Sequence, residues 1–240
     1  MKMIIIRTIC FLMFPVCPFF SNAQSPKVFK VRAGEYPDRV IPYADRYQFA
    51  QFITGKAQFV DGRTSQARFN YNYIGGHVLF VDAKLDTLEI IDKAILKNIT
   101  VGEKSYRFDK RFGYSEVIGT FERASLGKRE VLASIGTEKG GPYGISYTAS
   151  SVTTYRSYSS DQAATTKKLN TNAEGIFTYR TTYFLIDNNN RFYIPAPGSI
   201  KKLYPAYKSR IDQYLRKNPV DFGKEEDLKR LLVHCDQLSK

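Results

Sequence analysis

The chain has 240 residues, a formal net charge of +13, 17 Tyr and 17 Phe but no Trp. With only 3 Cys and 2 His it has too few ligands for a multi-cysteine metal module and too few pairs for a disulfide-stapled scaffold, so a fold of this size must rest on an apolar core. The basic balance draws polyanions such as lipid head groups or acidic polysaccharide, and it also keeps the protein soluble.

Residues 1–23 read as a secretory signal peptide. Lys2 and Arg7 precede an apolar run from Ile9 to Phe20, and Ser21-Asn22-Ala23 supplies the small-residue cleavage site. A membrane anchor is the weaker reading, because the run falls short of the roughly 20 residues a bilayer needs and contains Pro15 and Pro18. Pro15 and Val16 fit poorly before a lipid-modified Cys17, so the chain is read as not lipidated. Cleavage after Ala23 removes Cys10 and Cys17 and leaves 217 of the 240 residues, with Cys235 as the single cysteine. It lowers the charge from +13 to +11, since the segment carries Lys2 and Arg7 and no acid. No later stretch reaches the length of an apolar transmembrane helix.

Residues 24–46 contain Pro26, Pro37 and Pro42 without a clear period and read as an extended N-terminal arm. From Tyr47 apolar residues alternate, with Tyr47, Phe49 and Ile53 on one side, a turn expected at Gly55 and a second run ending in Phe59-Val60. Asp61-Gly62 is a hairpin signal, because tight hairpin turns need positive φ. "RFNYNYIGGHVLF" then places Phe69, Tyr71 and Tyr73 on alternate positions before a turn at Gly75-Gly76. "HVLFVD" and "TLEIID" flank a turn around Lys84 and Leu85, and "NITVGEKSYRFDKRFGYSEVIGTFE" and "KREVLASIG" supply further strands. Such spacing without intervening helices predicts a mainly β protein, an antiparallel meander curled into a barrel or sandwich across residues 47–198.

Within it, a Ser-, Thr- and Tyr-rich tract at about 140–175 offers few aliphatic groups to offset its ordering entropy and reads as a mobile loop. Strands resume at "FTYRTTYFLID", turn at Asn188-Asn189-Asn190 and return as "RFYIP". Residues 199–240 predict a small C-terminal α-helical appendage. Ser199 is a candidate cap, and Pro205 opens a helix with Tyr207, Ile211, Tyr214 and Leu215 on one face. After Asn218-Pro219, a second helix carries the stripe Leu228, Leu231, Leu232, Cys235 and Leu238.

The phrases "FITGKAQFVDGRTSQARFNYN", "VLFVDAKLDTLEI", "GPYGISYTASSVTTYRSYSS", "TYFLIDNNNRFY" and "IDQYLRKNPVDFGKEEDLKRLL" together give a chain that resembles a family of uncharacterised exported β-rich proteins of Bacteroidota. The resemblance implies export and a shared architecture, and it brings no activity, cofactor or catalytic residue. It also suggests Asp86-Thr87-Leu88 as an O-glycosylation acceptor of the type used in that phylum.

Chemistry-bearing clusters are sparse. His234 and Cys235 are adjacent, so on a helix they point about 100° apart and share no compact zinc or nucleophile site. No G-x-S-x-G elbow or phosphate-cradling glycine loop occurs, and catalytic, metal and cofactor-binding residues are therefore set at none. Glu116, Glu122 and Asp109 leave a carboxylate-based hydrolase as a third reading. "YRFDKRFGY" interleaves rings with cations, yet a hairpin with rings inward explains it without nucleic acid. The favoured expectation is a non-enzymatic envelope protein that binds another envelope protein, with Lys201, Lys202, Lys208 and Arg210 as the docking residues. The alternative is a glycan or lipid binder on the concave face of the sheet, with Tyr71 and Tyr73 stacking on the ligand.

Overall fold

The computed structural model describes residues 26–32, 34–140, 146–149 and 174–239. The signal peptide read at 1–23 lies outside the described residues, as does most of the tract at 140–175. Twelve strands are present among the described residues: β1 (Val28–Val31), β2 (Ile53–Phe59), β3 (Thr64–Asn72), β4 (His77–Val81), β5 (Thr87–Glu89), β6 (Leu96–Val101), β7 (Lys104–Asp109), β8 (Gly113–Thr120), β9 (Ala124–Gly140), β10 (Ser146–Ala149), β11 (Glu174–Asp187) and β12 (Phe192–Tyr193). Five α-helices accompany them: α1 (Pro37–Val40), α2 (Tyr43–Arg46), α3 (Pro197–Leu203), α4 (Lys208–Lys217) and α5 (Glu225–Ser239), with 3-10 turns at Lys93–Ile95 and at Pro205–Tyr207, so the helix expected to open at Pro205 begins at Lys208.

All strands belong to one antiparallel sheet of order β1-β11-β9-β8-β7-β6-β2-β3-β4-β5, with β10 added to β9 and β12 to β11. The fold is thus mainly β with helices at the C-terminus, as the alternation predicts. The sheet does not close, but it curls. Twist accumulates over its strands, and register shifts interrupt β2, β8 and β11. The curl brings the end of β3 against β9: the Leu132 amide donates to the Tyr73 carbonyl at 2.8 Å, and Arg129 Nη2 donates to the Gly75 carbonyl at 3.1 Å.

Three local readings change. The segment expected as an arm contributes edge strand β1, which pairs with Ile176 and Phe177 of β11, and then α1 and α2. The first central strand begins at Ile53 rather than Tyr47, because residues 46–48 are held by other bonds. Tyr73 N donates to Arg46 O at 2.7 Å, Gln48 N donates to Tyr71 O at 3.0 Å, and the buried Asn70 accepts from Phe49 N and donates to Phe49 O. Gly55 is no turn; β2 runs through it, and a Cβ there would sit 2.5 Å from the Thr100 carbonyl and 2.8 Å from the Phe69 ring. By contrast Gly62, with φ +88°, does form the β2–β3 turn, a conformation that favours glycine.

At the C-terminus α3 starts at Pro197 behind Ala196, and Ser199 Oγ donates backwards to Ile194 O instead of capping. Proline preset for the first helical turn replaces the serine cap. The apolar stripes meet the sheet: Ile200, Ile211, Leu228, Leu231, Leu232 and Cys235 are fully buried in one cluster with Ala124, Leu126 and Leu185 of β9 and β11. Helices this short gain their stability from that packing.

Candidate functional site

The register of β2 to β5 builds a hollow. Ile53, Phe69, Phe80 and Leu88 are successive cross-strand partners, so one row of large side chains crosses four strands. Toward the β2–β3 turn the paired positions are small: Gly55 faces Ala67, and Ala57 faces Ser65. Large residues beside a patch of small ones leave unfilled volume. Chain leaving β5 forms the wall, with Ile90 and Ile91 followed by a single 3-10 turn at Lys93–Ile95, where the Asp92 side chain accepts from the Ala94 amide. The resulting cleft holds about 880 Å³. Its lining is largely apolar, including Ala57, Phe59, Phe69, Phe80, Leu88 and Ile90, and Ile91 stands at the rim, 86% exposed.

The wall is clamped by charge. Glu89 Oε1 accepts from His77 Nδ1 at 2.7 Å and from Lys93 Nζ at 2.8 Å, all three side chains being mostly buried. Burial pushes the Glu89 carboxyl up, but the bonds and charges of His77 and Lys93 outweigh it and hold it below the usual range. Lys93 also lies 5.6 Å from the Phe108 ring centre, which ties the wall to β7.

Tyr71 and Tyr73 occupy different surroundings from those a ligand platform requires. Tyr71 is 3% exposed, one face lies parallel on Tyr106, and its hydroxyl donates to Glu130 O at 2.9 Å. Burial raises its pKa well above the ordinary phenol value. Tyr73 is partly buried and edge-on to both Tyr71 and Tyr179. Neither lines the cleft. Tyr106 donates to Gln48 Oε1, while Gln48 Nε2 and Lys104 both reach Glu116. Glu116 is therefore engaged in a structural network, Asp109 accepts from Arg111 N and Phe112 N at a turn, and Glu122 is exposed.

Among the described residues no group of three or more His, Cys, Asp or Glu is arranged to hold a metal. His234 stacks on Tyr214 with ring centres 4.1 Å apart. Cys235 is fully buried on the sheet side of α5, where burial, helped by Asp236, pushes its thiol up to about 12.

The four cations expected to dock a partner divide into two pairs. Lys201 Nζ bonds Asp212 Oδ1 at 2.9 Å, and Lys202 Nζ lies 5.0 Å from the Tyr193 ring centre. Lys208 and Arg210 are exposed and form no ion pair among the described residues; Arg216 and Lys217, which were not singled out from the sequence, share that condition. A helical wheel would have found them, since both lie on the side of α4 away from Ile211.

No protein-family model, curated protein or solved structure matches the chain. No helix among the described residues is long and apolar enough to cross a membrane.

Proposed function

We propose that this is an exported, non-enzymatic binding protein that holds a small, predominantly apolar molecule in the cleft between β2 and β5. The cleft carries the proposal: about 880 Å³ of concave, aromatic- and aliphatic-lined space falls within the range of roughly 300 to 1,000 Å³ typical of ligand pockets. Glu89 and Lys93 at its wall satisfy one another; Thr54, Ser65, Gln66, Arg68 and Asp82 also line it, but aromatic and aliphatic side chains predominate, which favours a lipid-like ligand over a glycan. Export rests on residues 1–23 and on the resemblance to exported proteins of Bacteroidota.

Docking to another envelope protein is the weaker reading. The cations of the C-terminal helices favour it, but the buried cluster on β9 and β11 covers the helices' apolar stripes, which leaves those stripes no surface for a partner to cover. The test is mass spectrometry of the organic extract from protein purified out of its native envelope. A lipid-like molecule recovered in near-stoichiometric amount supports the cleft. Stoichiometric recovery of a protein partner with no small molecule overturns it.

A further inference from the structure

The cations of the C-terminal helices are not alike. Around α5 each is matched by a carboxylate: Lys224 with Asp221 at 3.7 Å, Lys229 with Glu225 at 2.6 Å, and Arg230 with Asp227. On α4 the one acid, Asp212, is taken by Lys201 of α3. Lys208, Arg210, Arg216 and Lys217 are left exposed, without an ion pair among the described residues.

Helix energetics accounts for half of this pattern. Arg216 and Lys217 stand in the last turn, where cations complement the macrodipole. Lys208 and Arg210 stand in the first turn, where cations oppose it, and no acid accompanies them there. Two cations are thus kept at a position the helix disfavours, with no internal partner to offset the cost. Their charge is left facing solvent, available to an anion outside the chain.

The shape of the face narrows what that anion is. Ile211 is fully buried, and Tyr207, Tyr214 and Leu215 pack beside it, so α4 is fixed to the body and its opposite side is presented as a rigid surface. At 100° per residue, Ser209, Gln213 and Arg216 form the centre of that side, flanked by Arg210 and Lys217, while the exposed Lys208, about 60° from Ile211, stands at its border with the packed side. No aromatic or aliphatic anchor lies among these residues, and a protein interface depends on such anchors in desolvated pockets. A layer of phosphate head groups needs none, because it attracts basic residues through its surface potential.

We propose that the basic face of α4 docks the protein on an anionic lipid surface. This surface is separate from the β2–β5 cleft, which no residue of α3, α4 or α5 lines.

The test is co-sedimentation of the full chain with phosphatidylcholine vesicles, with and without phosphatidylglycerol, at low and high salt. The double variants Lys208→Glu/Arg210→Glu and Arg216→Glu/Lys217→Glu are compared with the control Lys97→Glu, an exposed residue of β6 that lines neither the cleft nor α4. Expected are binding only to the anionic vesicles, loss of binding at high salt, and a roughly ten-fold or greater weakening in each α4 variant but not in the control. The Lys208→Glu/Arg210→Glu variant should also melt no lower than the parent, since acids suit the first turn, so its lost binding is not lost folding. Absence of binding to anionic vesicles, or α4 variants that bind as the parent does, overturns the proposal. Capture of an acidic protein in place of vesicles also overturns it.

Discussion

Tyr71 and Tyr106 lie parallel across the inside of the curl, with ring centres 5.4 Å apart and planes 7° from each other. The contact joins β3 to β7, strands separated in the sheet by β6 and β2, and the Tyr71 hydroxyl continues it to β9 through Glu130 O. Replacing Tyr71 by Phe keeps the stack and removes the hydrogen bond, at about 1 kcal/mol. Replacing it by Ala empties the centre of the curl and should cost about 3–5 kcal/mol. Urea denaturation measures both, and a Tyr71→Ala protein as stable as the parent would show that the ring is not a core residue.

Gly55 is required by proximity. Its missing Cβ would meet the backbone oxygen of Thr100, which cannot swing aside as a side chain could. Gly55→Ala should destabilise by about 1–3 kcal/mol and distort the β2–β6 pairing. A variant of unchanged stability, with unchanged amide protection in β2, would contradict the close approach.

The docking of α5 on the sheet has two readouts. Leu232→Ala should cost about 2–5 kcal/mol. Cys235 should resist iodoacetamide in the folded protein at neutral pH and react fully after denaturation, because burial keeps the thiol protonated. Alkylation of the native protein at the rate of a free thiol would mean that α5 is not packed as described.

The Glu89 clamp predicts a pH signature. Because its folded-state pKa lies below the ordinary value of 4.5, its contribution to stability is fully present above that value and is lost as pH falls through the lower folded one. Glu89→Gln should therefore lower the melting temperature most at neutral pH, and the gap should close as the pH falls below 4.5 and through the depressed folded-state value. A gap independent of pH would contradict the pairing with His77 and Lys93.

How far the sequence revealed this protein depends on the kind of signal. Alternation around Phe69, Tyr71 and Tyr106, the Asp61-Gly62 turn and the stripe from Leu228 to Cys235 were legible because each is a local pattern with a local cause. Gly55 misled, since a glycine that makes room for Thr100 and Phe69 looks in sequence like one that makes a turn. Tyr47 misled too, because its alternation continues into residues that pair with β3 without forming a regular strand. The cleft was not legible. It exists only once β2 and β3 are paired in register, which sets Gly55 against Ala67 and Ala57 against Ser65 next to the row from Ile53 to Leu88. Likewise, that Asp212 would neutralise Lys201 and leave Lys208 and Arg210 unpaired depends on how α3 meets α4.

The central claim is that the β2–β5 cleft takes up an apolar ligand. It is tested most directly by titrating the protein with anilinonaphthalene sulfonate and displacing the dye with a long-chain fatty acid, in the parent and in Ala67→Phe, which fills the floor, and Ile91→Glu, which charges the rim. The account predicts saturable binding displaced by the fatty acid, weakened roughly ten-fold or more in Ala67→Phe and measurably in Ile91→Glu, with both variants folded by circular dichroism. No saturable binding in the parent, or equal binding by both folded cleft variants, would contradict it.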